Sequence, residues 1–348
     1  MKNSITMLLA ALLCLSCSGR EDEEPPLPQR TVLVYMAADN DLYRNALTDI
    51  EEMLAAAVPA DGNLVVYLDA PAWSADSCPQ LLHIRQGKAT PVKRYGQQNS
   101  ASGQVLQAVT GDAMSAFPAA SYGLVLWSHG TGWLPKGAYD RLAKSAAPLS
   151  AAMQSFGRDG GSEMDIIELA EALPAQLEFI IFDACLMGGV EVLYQLRRKA
   201  GVIVASPTET LVAGFPYAEA IPLLFTSPVG YAQLAQSYMS YYKSKSGSEQ
   251  TATIAVVDAG QLEPLAALLR SILHAGNARV APPDKEKIQR YDLLEESVFY
   301  DLEDYLAGII EDPAQLLSLR QQLAKAVVYH DHTPYFLAQL PLVRSCGV

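Results

Sequence analysis

The sequence predicts an α/β fold built on a mainly parallel central sheet. Apolar, β-branched runs alternate along the chain with helical patterns. Most of these runs are apolar without interruption, as strands covered on both faces must be. No internal repeat breaks the alternation. The chain has 348 residues, 50% hydrophobic and 18% charged, enough for one large core or a core plus a satellite.

The first residues read as a targeting segment. Lys2 supplies a short positive region, and Ile5–Leu15 is an apolar run too short to span a bilayer. Leu15-Ser16-Cys17 resembles the end of a bacterial lipobox, whose cysteine is lipidated and becomes the first mature residue. Cys14 stands where such a motif usually has Leu, so a plain signal peptide, or cleavage before Cys14, is the alternative. Residues 1–16 are therefore expected to be a leader and Cys17 an anchor in a bacterial envelope membrane. Residues 17–29 are charged and proline-rich, the composition of a disordered tether. Their acidic run Glu21-Asp22-Glu23-Glu24 reads equally as an export signal of surface lipoproteins or as a plain polar spacer.

A main domain is expected over 30–276. Its strand candidates are Thr31–Ala37, Asn63–Leu68, Gly123–Ser128, Glu178–Asp183, Val202–Ser206 and Thr253–Asp258, with a hairpin of Leu81–Arg85 and Pro91–Tyr95 around Gly87. Asp41–Ala57 carries Leu42, Ala46, Leu47, Ile50 and Leu54 on one helical stripe. Ser102–Phe117, Glu163–Leu173, Gly188–Ala200, Gly230–Lys243 and Gln261–Ala275 are further helices, the Tyr241-Tyr242-Lys243 cluster being a helix face. Leu134–Gly161 shows no period and reads as a long functional loop. Beyond Ala281-Pro282-Pro283, helices near Tyr300–Ile310 and Pro313–Val328 suggest a small C-terminal subdomain over 277–348. His330-Asp331-His332 reads as a solvated turn rather than a metal site.

A formal net charge of −13 offers no Lys/Arg field for phosphates, which excludes nucleic acid and leaves cationic substrates open. Beyond Cys14 and Cys17 the cysteines are Cys78, Cys185 and Cys346, without a CxxC. Neither zinc nor a disulfide scaffold is indicated, though Cys78 and Cys346 could pair in an oxidising compartment. GxSxG, P-loop, GxGxxG and HExxH motifs are absent.

Open α/β sheets carry their functional groups at the carboxyl ends of strands. One strand here runs into His129-Gly130-Thr131-Gly132-Trp133, and another into Ala184-Cys185-Leu186-Met187-Gly188-Gly189. If these strands are neighbours, the imidazole can take the proton of the thiol and return it to a leaving amine. Gly130 clears space for its N–H, with that of Cys185, to hold an oxyanion. A helix start after Cys185 should favour the thiolate, and alkylation should then be faster at Cys185 than at Cys78. The order His then Cys speaks against papain-like enzymes, and the separation is close to the caspase spacing of about 50 residues.

At these motifs the chain resembles the clostripain family (C11) of cysteine peptidases, relatives of caspases, gingipains and legumains. The resemblance rests on Val32-Leu-Val-Tyr-Met-Ala-Ala-Asp-Asn-Asp-Leu42, Leu126-Trp-Ser-His-Gly-Thr-Gly-Trp133, Phe182-Asp-Ala-Cys-Leu-Met-Gly188 and Gly214-Phe-Pro-Tyr217, in family order over roughly 31–305. It implies a caspase-like α/β/α sandwich with His129 as base and Cys185 as nucleophile, acting on proteins or peptides. It also implies cleavage after Arg or Lys, with Asp183 in the pocket for the basic side chain; a helix-capping Asp183 is the alternative. The second pocket acid of the family is replaced by Ala213, and Glu209 could substitute. Activation by cleavage within 134–161 is implied, after Lys144 or Arg141. Calcium dependence occurs in the family, but no EF-hand-like loop is present and no cofactor or metal site is assigned. Ser345-Cys-Gly-Val348 resembles the start of a late family strand, so a C-terminal truncation is expected. A catalytically inactive binding lipoprotein, or a cysteine amidase or acyltransferase, is the rival reading.

Overall fold

The computed structural model describes residues 27–74, 77–136, 156–274, 283–342 and 347–348. In chain order its elements begin with β1 (Arg30–Ala37), α1 (Tyr43–Ala55), β2 (Gly62–Asp69), β3 (Gln80–Arg85), β4 (Lys88–Arg94), α2 (Gly103–Ala116) and β5 (Ser121–Trp127). There follow β6 (Phe156–Asp159), β7 (Ser162–Met164), α3 (Ile166–Ala172), β8 (Leu177–Asp183), α4 (Val190–Leu196) and β9 (Ala200–Ala205). The remainder is α5 (Tyr217–Leu224), α6 (Tyr231–Lys243), β10 (Thr253–Asp258), α7 (Leu262–His274), α8 (Leu302–Ala307), α9 (Pro313–Ala326), β11 (Val327–His332), β12 (Tyr335–Phe336) and β13 (Leu340–Pro341).

The main sheet has the order β11-β10-β9-β8-β5-β1-β2-β3-β4. Its centre, β9-β8-β5-β1-β2, is parallel, and antiparallel strands close both flanks. Alternation along each central strand sends side chains to two separate cores. On one face Leu33, Tyr35, Leu124, Leu126, Ile180 and Phe182 pack with residues of α2, α3, α4, α7 and α9. On the other Val32, Val34, Met36, Val125, Phe179 and Ile181 pack with α1, α5 and α6. The result is the expected three-layer sandwich. Strand contact is close enough at one point to require glycine: the Phe179 ring on β8 fills the place a Cβ at Gly123 of β5 would take.

The departures from expectation lie in short or polar segments. The end of the stretch read as a loop forms the β6–β7 hairpin, and the following helix begins later, at Ile166, capped by the Asp165 carboxylate. Residues 217–224 form a helix despite Pro222. His330-Asp331-His332 is not a turn. It lies on β11, paired with β10, where Asp331 binds Lys243 of α6 at 2.6 Å. From the region after residue 276, α9 packs against α7 and β11 extends the main sheet. The rest of that region, with Tyr291, Leu294, Phe299, Phe336 and Leu340, forms a small apolar cluster that reaches Cys185. No helix among the described residues is long and apolar enough to cross a membrane.

Candidate active site

β5 and β8 are adjacent parallel strands with Trp127 opposite Asp183. His129 and Cys185 therefore leave the sheet at the same carboxyl edge and line one cleft of about 100 Å³, together with Asp41, Asp183, Thr210 and Val212. Gly130 is what lets the two turns touch. A Cβ there would stand 2.5 Å from the Cys185 carbonyl oxygen and 3.2 Å from its nitrogen. After Cys185 the backbone enters the left-handed region at Leu186 (φ 63°), a strained geometry for a branched side chain. It is held by the Leu186 N–H donating to Thr208 O at 2.9 Å and the Gly188 N–H to Ser206 O at 2.8 Å.

The nucleophile candidate is covered. Cys185 is 5% exposed, and its sulfur accepts from the Thr210 N–H at 3.2 Å while the thiol reaches Thr210 O at 3.6 Å. Burial pushes the thiol up to about 12, and the charge of Glu209 adds to the effect. The expected thiolate-favouring helix start is absent: α4 begins only at Val190, with Gly189 as its N-cap, and burial dominates. Thr210 thus closes over the thiol, and burial favours its protonated form.

His129 is also buried, and its Nε2 faces the Asp41 carboxylate at 3.0 Å. Burial lowers its pKa and Asp41 pulls the other way, leaving it below the ordinary histidine range. Its turn is pinned from behind. Ser128 Oγ donates to Ala37 O at 2.7 Å, and the Gly157 N–H of β6 donates to His129 O at 3.1 Å.

Asp183 forms part of the cleft wall. Its Oδ2 accepts from Tyr217 Oη at 2.8 Å and from the Phe215 N–H at 3.2 Å, and Gly214 packs directly on the carboxylate. It does not cap α4. Burial raises it to about 6, against those two hydrogen bonds. Glu209, the expected substitute acid, is half-buried and acts on the thiol, but it is not among the cleft-lining residues. Ala213 is exposed. Instead α1 brings up two acids the sequence reading missed. Asp49, buried, accepts from Trp127 Nε1 at 2.7 Å, and Glu52 accepts from the Tyr217 N–H at 2.8 Å. Burial, then the charge of Asp183, raises Asp49 to about 8. Asp41 and Thr210 were missed as well. Asp41 had a signal: it lies just past the carboxyl end of β1, where functional groups gather.

Lys144, Arg141 and Cys17, and the Cys346 that could pair with the exposed Cys78, lie outside the described residues. Among the described residues no group of three or more His, Cys, Asp or Glu converges on a metal-sized site. Asp69 is buried beside Asp159, and burial raises its pKa.

A model of the clostripain family matches residues 34–327. Clostripain of Hathewaya histolytica is 29% identical over 215 residues, which are 53% of this chain and 39% of that protein. The match thus spans well under half of that relative's length. An inactive zymogen C11 protease from Parabacteroides distasonis superposes with a TM-score of 0.77 at 31% identity, over 93% of this chain and 92% of that one. A secreted C11 cysteine protease from Bacteroides thetaiotaomicron, solved with an irreversible peptide inhibitor, gives 0.74 at 32% identity over 88% and 85%. The fold, the order of the motif blocks and these matches agree: the chain belongs to the clostripain family.

Proposed function

We propose that the chain is a cysteine endopeptidase that cleaves proteins or peptides after Arg or Lys. The observation that carries this reading is the meeting of His129, Cys185 and the buried Asp183 carboxylate on one cleft. The thiol proton passes to His129, and the thiolate sulfur attacks the scissile carbonyl carbon. The oxyanion is held by backbone N–H groups at Gly130 and Cys185. When the C–N bond breaks, the His129 proton goes to the leaving amine, and water then hydrolyses the thioester by the same path in reverse. Asp183 accepts the basic side chain before the cut. A carboxylate near its own pKa in a water-poor pocket gains most from a guanidinium or ammonium partner.

The state with Cys185 clasped by Thr210 is inactive, which fits a zymogen, the state in which the Parabacteroides relative was solved. Activation would be self-cleavage after Arg141 or Lys144. The leader and the lipidated Cys17 would deliver the enzyme to the cell envelope, in keeping with the secreted Bacteroides relative.

One experiment tests the reading. Mass spectrometry of the purified protein should find two fragments for the wild type, cut after a basic residue, and a single chain for Cys185→Ala. The wild type should cleave peptides ending in Arg or Lys before the cut at least about a hundredfold faster than apolar ones, with Cys185→Ala inactive on all. Activity surviving in Cys185→Ala would remove the assigned nucleophile, and apolar peptides outpacing basic ones would remove the assigned pocket.

A further inference from the structure

The imidazole has two nitrogens and the structure commits one of them. Nε2 of His129 lies 3.0 Å from Asp41 Oδ1, and among the described residues Nδ1 has no hydrogen-bond partner. Asp41 sits on the loop between β1 and α1, at the wall of the same cleft, with its side chain 56% exposed while that of His129 is 6% exposed. The loop carrying it is rigidly tied. Asn40 Nδ2 donates to Ala37 O at 2.9 Å and to Arg158 O at 2.8 Å, and the Leu42 N–H returns to Asn40 Oδ1 at 2.8 Å. A carboxylate held there accepts only from an N–H, so it selects the tautomer with the proton on Nε2.

Resting on the reading of His129 as base and Cys185 as nucleophile, we propose that Asp41 is a positioning residue. It completes an Asp–His–Cys group by fixing His129 as the Nε2–H tautomer, which leaves Nδ1 to take the thiol proton. When the sulfur gives up its proton to Nδ1, the imidazolium formed keeps its second proton on Nε2, hydrogen-bonded to Asp41. The proton on Nδ1 later leaves with the amine, and Nε2–H never moves. Asp41 stabilises the charged ring in a site whose burial otherwise disfavours it. The other charged groups facing these atoms act against or beside it. Arg158 of β6 disfavours the imidazolium and favours the Asp41 carboxylate, while Glu209 and Asp183 disfavour the thiolate.

The test is the pH profile of peptide cleavage by the full chain and its Asp41 variants, compared at equal extents of internal cleavage. Asp41→Ala should lower kcat at least about tenfold with KM nearly unchanged. Its acid limb, which reports protonation of the His129 base, should move to lower pH, because Asp41 is what raises the imidazole. Asp41→Asn keeps an acceptor without the charge, and should shift the limb the same way with a smaller loss of kcat. Asp41→Glu should recover part of the rate. A wild-type kcat with an unmoved limb in Asp41→Ala would overturn the proposal, and so would an effect on KM alone, which would make Asp41 a substrate contact. The underlying dyad is tested separately by His129→Ala and Cys185→Ala. Either one retaining activity sinks that reading, whatever Asp41 does.

Discussion

At the scale of single residues, Cys185 and Cys78 differ in what governs thiol reactivity. Cys185 is buried beneath Thr210 with its pKa pushed up to about 12, whereas Cys78 is exposed. The thiolate is the reacting form, so a small neutral reagent should consume Cys78 before Cys185 at neutral pH, the reverse of the order the motifs alone suggest. If Asp183 takes the basic side chain as proposed, a peptide electrophile ending in Arg or Lys should reverse it again, because seating it at Cys185 would displace Thr210. Peptide mapping after each treatment checks both. Iodoacetamide taking Cys185 first would mean that the Thr210 clasp opens unaided. His129 and Cys185 were legible in the sequence because each ends an apolar run at a glycine-rich turn. The clasp was not, since it joins two segments through burial and a backbone N–H, which leave no mark on side-chain identity. Asp41 was half legible: its place past β1 could be read, its contact with a histidine far along the chain could not.

At the scale of elements, the parallel centre of the sheet was readable because strands buried on both faces must be continuously apolar. What escaped was what solvent or function leaves mixed: the short β6–β7 hairpin, the polar edge strand β11, and α5 with Pro222 inside it. One tie across the centre also depends on residues that no periodicity flags. Arg30 opens β1, and its buried guanidinium reaches Glu178 of β8 at 2.8 Å and the carbonyl of Leu224 at the end of α5 at 2.6 Å. Its Nε also meets Ser121 of β5 at 3.1 Å. One side chain thereby joins three strands and a helix. Breaking a buried ion pair by removing one partner leaves the other's desolvation uncompensated. Glu178 keeps 30% exposure, so the effect should fall at the low end. Arg30→Ala should lower the unfolding free energy by about 2–3 kcal/mol in a denaturant titration. Arg30→Lys should recover only part, because an ammonium cannot reproduce the fork. A loss below about 0.5 kcal/mol would show that water already screens the pair.

At the scale of the whole molecule, three buried acids govern how stability responds to pH. Asp49, Asp69 and Asp183 are all nearly inaccessible, and burial is the leading cause that raises each of them, Asp49 to about 8 and Asp183 to about 6. A carboxyl whose pKa is higher in the folded than in the unfolded chain binds more protons when folded. Its contribution is fully present below the unfolded pKa near 4 and is lost as pH rises through the folded value. For Asp183 the loss falls between about 4 and 6, and for Asp49 between about 4 and 8. Asp41, Asp331 and Glu168 have lowered pKa values and work in the opposite sense, but their stabilisation is complete once the pH exceeds the ordinary carboxylate range. Between pH 5 and 8 the raised acids therefore dominate among the carboxylates, and the fold should lose stability on the order of a few kcal/mol across that window. Measured on Cys185→Ala, which lacks the proposed nucleophile, the unfolding free energy should fall from pH 5 to pH 8. Asp49→Asn should flatten the fall, because its amide oxygen still accepts from Trp127 Nε1 while nothing remains to ionise. An unchanged slope in Asp49→Asn would place the buried proton on another carboxyl. The same ionisation bears on function. The charge of Asp183 adds to what burial costs Asp49, so if Asp183 takes the basic side chain as proposed, a guanidinium or ammonium bound there should ease the ionisation of both acids.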